Sequence, residues 1–196
     1  MIIGIAGPTA SGKTTVARML EEEYGAVRLR YSSILSEMAL ERGLDPNDKA
    51  TLQGLFLNER ETRGEDFLTK EMEERVGQLD KDFIVIEGNR RLVDIDTLRR
   101  ITKAHEDSLI LLFIDASRET RFDRYNHRLI TQNEEPISFE AFTALEANDA
   151  ENEIDDLKTI FEKEGLVIST DNQNAEAVFE EIKKLIEAEK LTTVSN

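Results

Sequence analysis

The residues from Gly7 to Thr14, Gly-Pro-Thr-Ala-Ser-Gly-Lys-Thr, fit the pattern G-x-x-x-x-G-K-[ST], the Walker A or P-loop signature. Its chemistry is the holding of phosphates. Gly7 and Gly12 permit backbone angles that a side chain would forbid, so the N–H groups of Thr9, Ala10, Ser11, Gly12, Lys13, Thr14 and Thr15 can turn inward around a phosphate chain. Lys13 adds a mobile cation, and Thr14 opens a helix whose N-terminus favours anions and whose hydroxyl is placed to hold Mg²⁺.

Two further groups of residues suit phosphoryl transfer, which needs a metal, cations that spread over the charge in transit, and a group that orients the attacking oxygen. Glu87 closes an apolar run, where its carboxylate either holds a metal-bound water, accepts a proton from an acceptor hydroxyl, or pairs with Arg90 or Arg91. Arg118, Arg121, Arg124 and Arg128 fall within roughly a 120° arc of one helix at about 100° per residue. Phe122, Tyr125 and Leu129 occupy the neighbouring arc, so one face packs while the other presents guanidinium groups. Arg124 and Arg128 are the preferred pair for catalysis in a closing lid, with Arg121 beside them toward the nucleotide. The other account of this stripe is a solvated face making salt bridges, including to the acidic helix beyond. For an acceptor the candidates are Ser32, Ser33, Arg60 and Arg90; helix capping explains the serines equally well, and pairing with Glu59 or Glu61 explains Arg60. The acidic run Glu146 to Asp156 reads as a solvated helix surface.

These residues must be positioned by alternating strands and helices. Residues 1–6 read as a buried strand, and Val16, Ala17, Leu20 and Tyr24 continue at helical spacing to a C-cap at Gly25. Residues 26–31 alternate as a second strand, with Ser32 or Ser33 capping a helix over about 33–42. Helical spacing recurs on both sides of Gly64, residues 82–86 form a third strand ending at Glu87, and residues 108–114 a fourth ending at Asp115. Ser138 is a plausible N-cap after the break at Pro136, residues 166–169 form the last strand, and the polar stretch Thr170 to Asn174 leads into a closing helix. Such alternation implies a parallel sheet with helices on both faces. Ligands then sit at the carboxyl ends of the strands, where the P-loop, Tyr31 to Ser33, Glu87 to Arg91, Asp115 and Thr170 to Asn174 all fall.

Composition narrows the ligands. The 196 residues carry 25 Lys and Arg against 41 Asp and Glu, a net charge of -16, which disfavours nucleic acid and anionic membranes as partners and leaves a small, locally clamped anion. Cysteine is absent, the first strand lacks a basic leader, and no apolar run approaches the length of a membrane span, so a cytoplasmic location is expected.

With a P-loop, a strand-end acid and an arginine lid in this order, the chain resembles the nucleoside monophosphate kinase superfamily of P-loop kinases over almost its whole length. Ser33-Ile34-Leu35, Ala39 to Gly43, Asn58-Glu59-Arg60, Gly64, Ile86 to Arg90 and Arg121-x-x-Arg124-x-x-x-Arg128 look like the dephospho-CoA kinase and deoxynucleoside monophosphate kinase branch. The resemblance implies a three-layer α/β/α fold with a five-stranded parallel sheet: one domain over 1–190, acceptor helices over about 32–78, a lid over about 117–136, and a frayed tail at 191–196. It implies ATP with Mg²⁺ on the P-loop, a small phosphorylated acceptor over Ser32, Ser33 and Arg60, and Thr170, Asp171 and Asn172 bordering the adenine. The chain departs from that branch in Tyr31-Ser32 where an aspartate is usual, in Glu87-Gly88 where Asp-Gly is frequent, and in a longer helical region over 138–164. Two other functions fit a P-loop, a regulatory ATPase acting on a protein and a nucleic-acid end kinase; the absence of an Asn-Lys-x-Asp motif and the net charge respectively weigh against them.

Overall fold

Alternate residues of a strand face opposite ways, and in the first strand both sets are apolar: Ile3 and Ile5 enter one core, Ile2 and Ala6 another. A strand with two buried faces belongs inside a parallel sheet covered on both sides. The computed structural model describes residues 1–147 and 153–194. In chain order its elements are β1 (Ile2–Ala6), α1 (Lys13–Tyr24), β2 (Val27–Arg30), α2 (Tyr31–Glu41), α3 (Lys49–Arg63), α4 (Phe67–Gly77) and β3 (Ile84–Asn89). There follow α5 (Leu92–Ala104), β4 (Leu109–Asp115), α6 (Arg118–Thr131), α7 (Phe139–Ala147), α8 (Ile154–Glu164), β5 (Leu166–Ser169) and α9 (Ala175–Val194). The strands form the expected five-stranded sheet, every pairing parallel, in the order β2-β3-β1-β4-β5.

One face of the sheet packs α1 and α9 through Val16, Leu20, Val178 and Ile182. The opposite face packs α2, α4, α5 and α8 through Ile34, Met72, Leu98 and Phe161. Phe161 is fully buried and meets Phe113 edge-on at 5.8 Å between ring centres. Phe161→Ala removes that contact and leaves a cavity, and is expected to cost about 3–5 kcal/mol in urea unfolding. A third cluster holds Tyr125, Leu129 and Phe142, with Ala10 of the P-loop packed against it.

Local differences from the sequence reading have physical causes. β2 ends at Arg30, and Tyr31 already begins α2, with Arg30 as its N-cap residue and no side-chain cap. Neither Ser32 nor Ser33 therefore caps the helix: burial of Tyr31 and Ile34 sets its start instead. β3 does not stop at Ile86 but runs through Glu87 to Asn89, because a bulge prolongs it: Ile5 pairs with Glu87, Ala6 pairs with Asn89, and Gly88 is the extra residue at φ 89°. Asn89 seals the bulge by donating from Nδ2 to the carbonyls of Ile5 (3.0 Å) and Ile86 (2.8 Å). Ser138 accepts from the Ala141 N–H at 3.1 Å, as an N-cap does. The closing helix continues past Lys190 to Val194; residues 195 and 196 of the anticipated frayed tail lie outside the described residues.

Candidate active site

Five strand ends open on the same edge of the sheet, and the loop between β1 and α1 lies at its centre because β1 is the middle strand. Gly7 has φ 138°, and a Cβ there would stand 2.1 Å from the Ile114 carbonyl oxygen, so only glycine lets the chain turn this close to β4. Gly12, at φ 111°, precedes the first turn of α1. Between them Ala10 adopts the left-handed region at φ 62°.

That conformation is costly for a residue with a side chain, by about 1–2 kcal/mol, and persists only where neighbours enforce it. Here they do. Arg121 donates from Nη1 to the Thr9 carbonyl at 3.3 Å. Arg124 donates to the Ser11 carbonyl at 3.3 Å and to the Thr170 hydroxyl at 2.8 Å, and Thr170 itself donates to the Ser11 carbonyl at 2.9 Å. Carbonyls at positions 9 and 11 are thus held from outside the loop.

The reactive side chains line the inner wall. Lys13 donates from Nζ to the Pro8 carbonyl at 2.7 Å. Burial pulls its ammonium down to about 7; Arg90 pushes further in that direction, Glu87 opposes, and Arg121 and Arg128 add smaller repulsions. Thr14 donates from Oγ1 to Glu87 Oε1 in a short hydrogen bond. Glu87 is buried on β3, and its Oε2 has no hydrogen-bond partner among the described residues; the Arg30 Nε lies 3.9 Å from it across the β2–β3 pairing. Ser11 Oγ is likewise buried and without a partner among the described residues.

A hydroxyl and a carboxylate in contact, with one carboxylate oxygen unsatisfied, form a donor set that fits Mg²⁺, which takes one or two protein oxygens and completes its shell with phosphate and water. Among the described residues no cluster of three or more His, Cys, Asp or Glu side chains makes a fully protein-built metal cage.

The arginines of α6 divide. Arg124 is bound into the cleft floor by Thr170, and Arg128 lies over the Tyr125 ring at 4.9 Å while contributing to the field at Lys13. Arg118 and Arg121 both pair with Glu146 on α7, and Arg121 is almost fully buried, donating also to the Ala116 carbonyl at 3.0 Å. The stripe is therefore not uniformly open to a ligand, and Glu146 is a buttress rather than part of a solvated surface; residues 148–152 of that acidic run lie outside the described residues.

On the acceptor side, Arg90 is exposed at the end of β3, Ser32 is exposed and Ser33 half-buried on α2. Arg60 pairs with Glu65 at 3.5 Å and stacks on Phe56, which Arg91 covers from α5's start. Asp171 accepts from the N–H and hydroxyl of Ser117 at 2.8 and 3.0 Å; hydrogen bonds from Thr120 and then Ser117 lower its pKa. Asn172 sits exposed at φ 56° in the same loop. Lys13, Thr14, Glu87, Arg121, Arg124 and Arg128 converge, with Arg90 near enough to act on Lys13. Ser32 and Ser33 stand on α2 and Arg60 on α3. The roles of Glu146 and Asn89 escaped sequence reasoning; Thr170, expected to border the adenine, donates to the Ser11 carbonyl of the loop.

The AAA domain family matches residues 6–142, from the end of β1 into α7. A UPF0200 protein of Pyrobaculum aerophilum is 25% identical over 185 residues, spanning 94% of this chain and 96% of its own. A cytidylate kinase of Thermotoga petrophila is 29% identical over the same shares of both chains. A crystal structure of shikimate kinase from Aquifex aeolicus shares the fold, with a TM-score of 0.53 at 18% identity over 97% of this chain and 99% of that one. Among the described residues no helix is long and apolar enough to cross a membrane.

Proposed function

Because the chain belongs to the AAA domain family and is a P-loop kinase, we propose that it transfers the γ-phosphoryl group of ATP to a small phosphorylated acceptor, a nucleoside or deoxynucleoside monophosphate. The observation that carries this reading is the contact of Thr14 with Glu87 beside Lys13: a cation, a hydroxyl and a half-satisfied carboxylate meet at the mouth of an anion cradle. The length-spanning likeness to a cytidylate kinase supports a nucleotide acceptor.

Lys13 would leave the Pro8 carbonyl for the β- and γ-phosphate oxygens, while the N–H groups of residues 9–15 surround the phosphate chain. Thr14 and Glu87 would hold Mg²⁺, which when bound supplies charge neutralisation at those oxygens. An acceptor phosphate oxygen attacks the γ-phosphorus in line, the bond from that phosphorus to the bridging oxygen breaks, and ADP departs. Such an oxygen is already anionic, so no base is required and Glu87 serves the metal. A hydroxyl acceptor such as dephospho-CoA would instead need Glu87 to accept a proton. Arg128 and Arg90 supply positive charge from the open side of the cleft, and Arg124 fixes its floor.

Incubation of the protein with ATP, Mg²⁺ and each of the ribo- and deoxynucleoside monophosphates, with dephospho-CoA as a separate arm, is expected to give ADP and a phosphorylated acceptor in at least one monophosphate arm. Turnover with dephospho-CoA alone would transfer the acceptor assignment to it. ADP release independent of every acceptor would replace the kinase reading by a regulatory ATPase.

A further inference from the structure

Beyond α6 the chain brings α7 into the cluster on which Ala10 of the P-loop packs, and its contacts there are more than packing. Glu146 accepts from Arg121 Nη1 through Oε1 and from Arg118 Nε through Oε2, the latter at 3.1 Å. Phe142, one turn earlier, lies beneath the Arg121 guanidinium at 5.9 Å and shares its cluster with Ala10. Arg121 in turn reaches the Thr9 carbonyl. One short helix therefore shares a cluster with the strained residue of the cradle and reaches its preceding carbonyl through a single arginine.

We propose that Glu146 is a positioning residue for the nucleotide site: it holds Arg121 across the Thr9 carbonyl, so that the loop stays in its phosphate-accepting shape with Ala10 left-handed before any nucleotide arrives. The inference rests on the P-loop being a nucleotide site and not on which acceptor is used. Burial gives it force. Arg121 and Glu146 expose only 8% and 14% of their side chains, so losing the carboxylate leaves a desolvated cation that must turn toward water and release Thr9. With Thr9 released, the Thr170 and Arg124 contacts on Ser11 hold the loop from one side only.

The test is ADP affinity by calorimetry on the whole chain, with the thermal midpoint of each variant recorded to ensure that folded protein is measured. Glu146→Gln is expected to weaken ADP binding about tenfold, the scale of one charge-assisted hydrogen bond. Arg121→Met should weaken it at least as much, and the double variant should bind no more weakly than Arg121→Met, because Glu146 acts through that arginine. Should Arg121→Met not fold, Ala10→Gly replaces it: glycine adopts φ 62° without strain, so Glu146→Gln should cost less than about threefold in that background. Unchanged or tighter ADP binding in Glu146→Gln, additive losses in the Arg121 cycle, or an undiminished loss in the Ala10→Gly background would overturn the proposal. ADP binding requires no acceptor, so a failure of phosphoryl transfer in the acceptor panel leaves this inference standing. A wild-type chain that binds no ADP would overturn it together with the nucleotide reading.

Discussion

Lys13→Met is expected to reduce phosphoryl transfer by roughly 10³-fold, the order of loss when a positioned cation is removed from charge developing in transit. The comparison to make is kcat/KM for ATP at saturating acceptor. Near-wild-type turnover would place the transfer elsewhere. The same side chain predicts a pH dependence. In the ligand-free protein its pKa is about 7, lowered chiefly by burial, whereas an ATP triphosphate would raise it again. Above pH 7 binding must therefore take up a proton, and ATP affinity is expected to fall by up to about tenfold per pH unit until the bound-state pKa is reached. Lys13→Met should abolish that slope. For the ligand-free fold the sign is opposite: between about 7 and 10.5 the unfolded chain keeps a proton that the folded chain has lost, so this group makes the fold more stable as pH rises through that window.

Glu87→Gln is expected to lower kcat by about 10²- to 10³-fold with little change in metal-free ATP binding. Its Mg²⁺ requirement should rise, because Thr14 then faces an amide instead of a carboxylate. A titration of rate against Mg²⁺ at fixed ATP reads both effects. Stability should not follow activity: Glu87 Oε2 is buried without a hydrogen-bond partner among the described residues, and its ion-pair partner Arg30 is 42% exposed and can turn to water, so the relieved desolvation offsets the lost pairing and the thermal midpoint should stay about level. A large fall in midpoint together with unchanged kcat would make Glu87 a structural residue.

Lys13, Thr14 and Glu87 were legible in the sequence because their signals are local: a spaced glycine pattern, the start of a helix, and a charge closing an apolar run. The five strands were legible for the same reason, as short runs bounded by turns. What stayed hidden depends on partners distant in the chain. Nothing in the series Arg118, Arg121, Arg124, Arg128 announces that the first two turn to Glu146 while the third turns to Thr170, since helical spacing gives the arc and not the neighbour. Ser32 and Ser33 read as caps because they follow a strand; burial of Tyr31 shifted the helix start ahead of them. The third strand reads as ending at Glu87, and only the pairing of Asn89 with Ala6 reveals that it continues past the bulge at Gly88 and carries Asn89 to the sheet interior.

The Thr170 hydroxyl that meets the Ser11 carbonyl belongs to a residue 159 positions later in the chain. During synthesis the signature motif is therefore made long before the contact that completes it. On the nucleotide reading proposed above, a nascent chain that has released β1, α1 and β3 from the ribosome holds the motif without the Thr170 contact, and is expected to retain nucleotide less well until β5 and the threonine after it have joined the sheet edge. A series of stalled chains of increasing length, probed for nucleotide retention, should show a single step once Thr170 clears the exit tunnel.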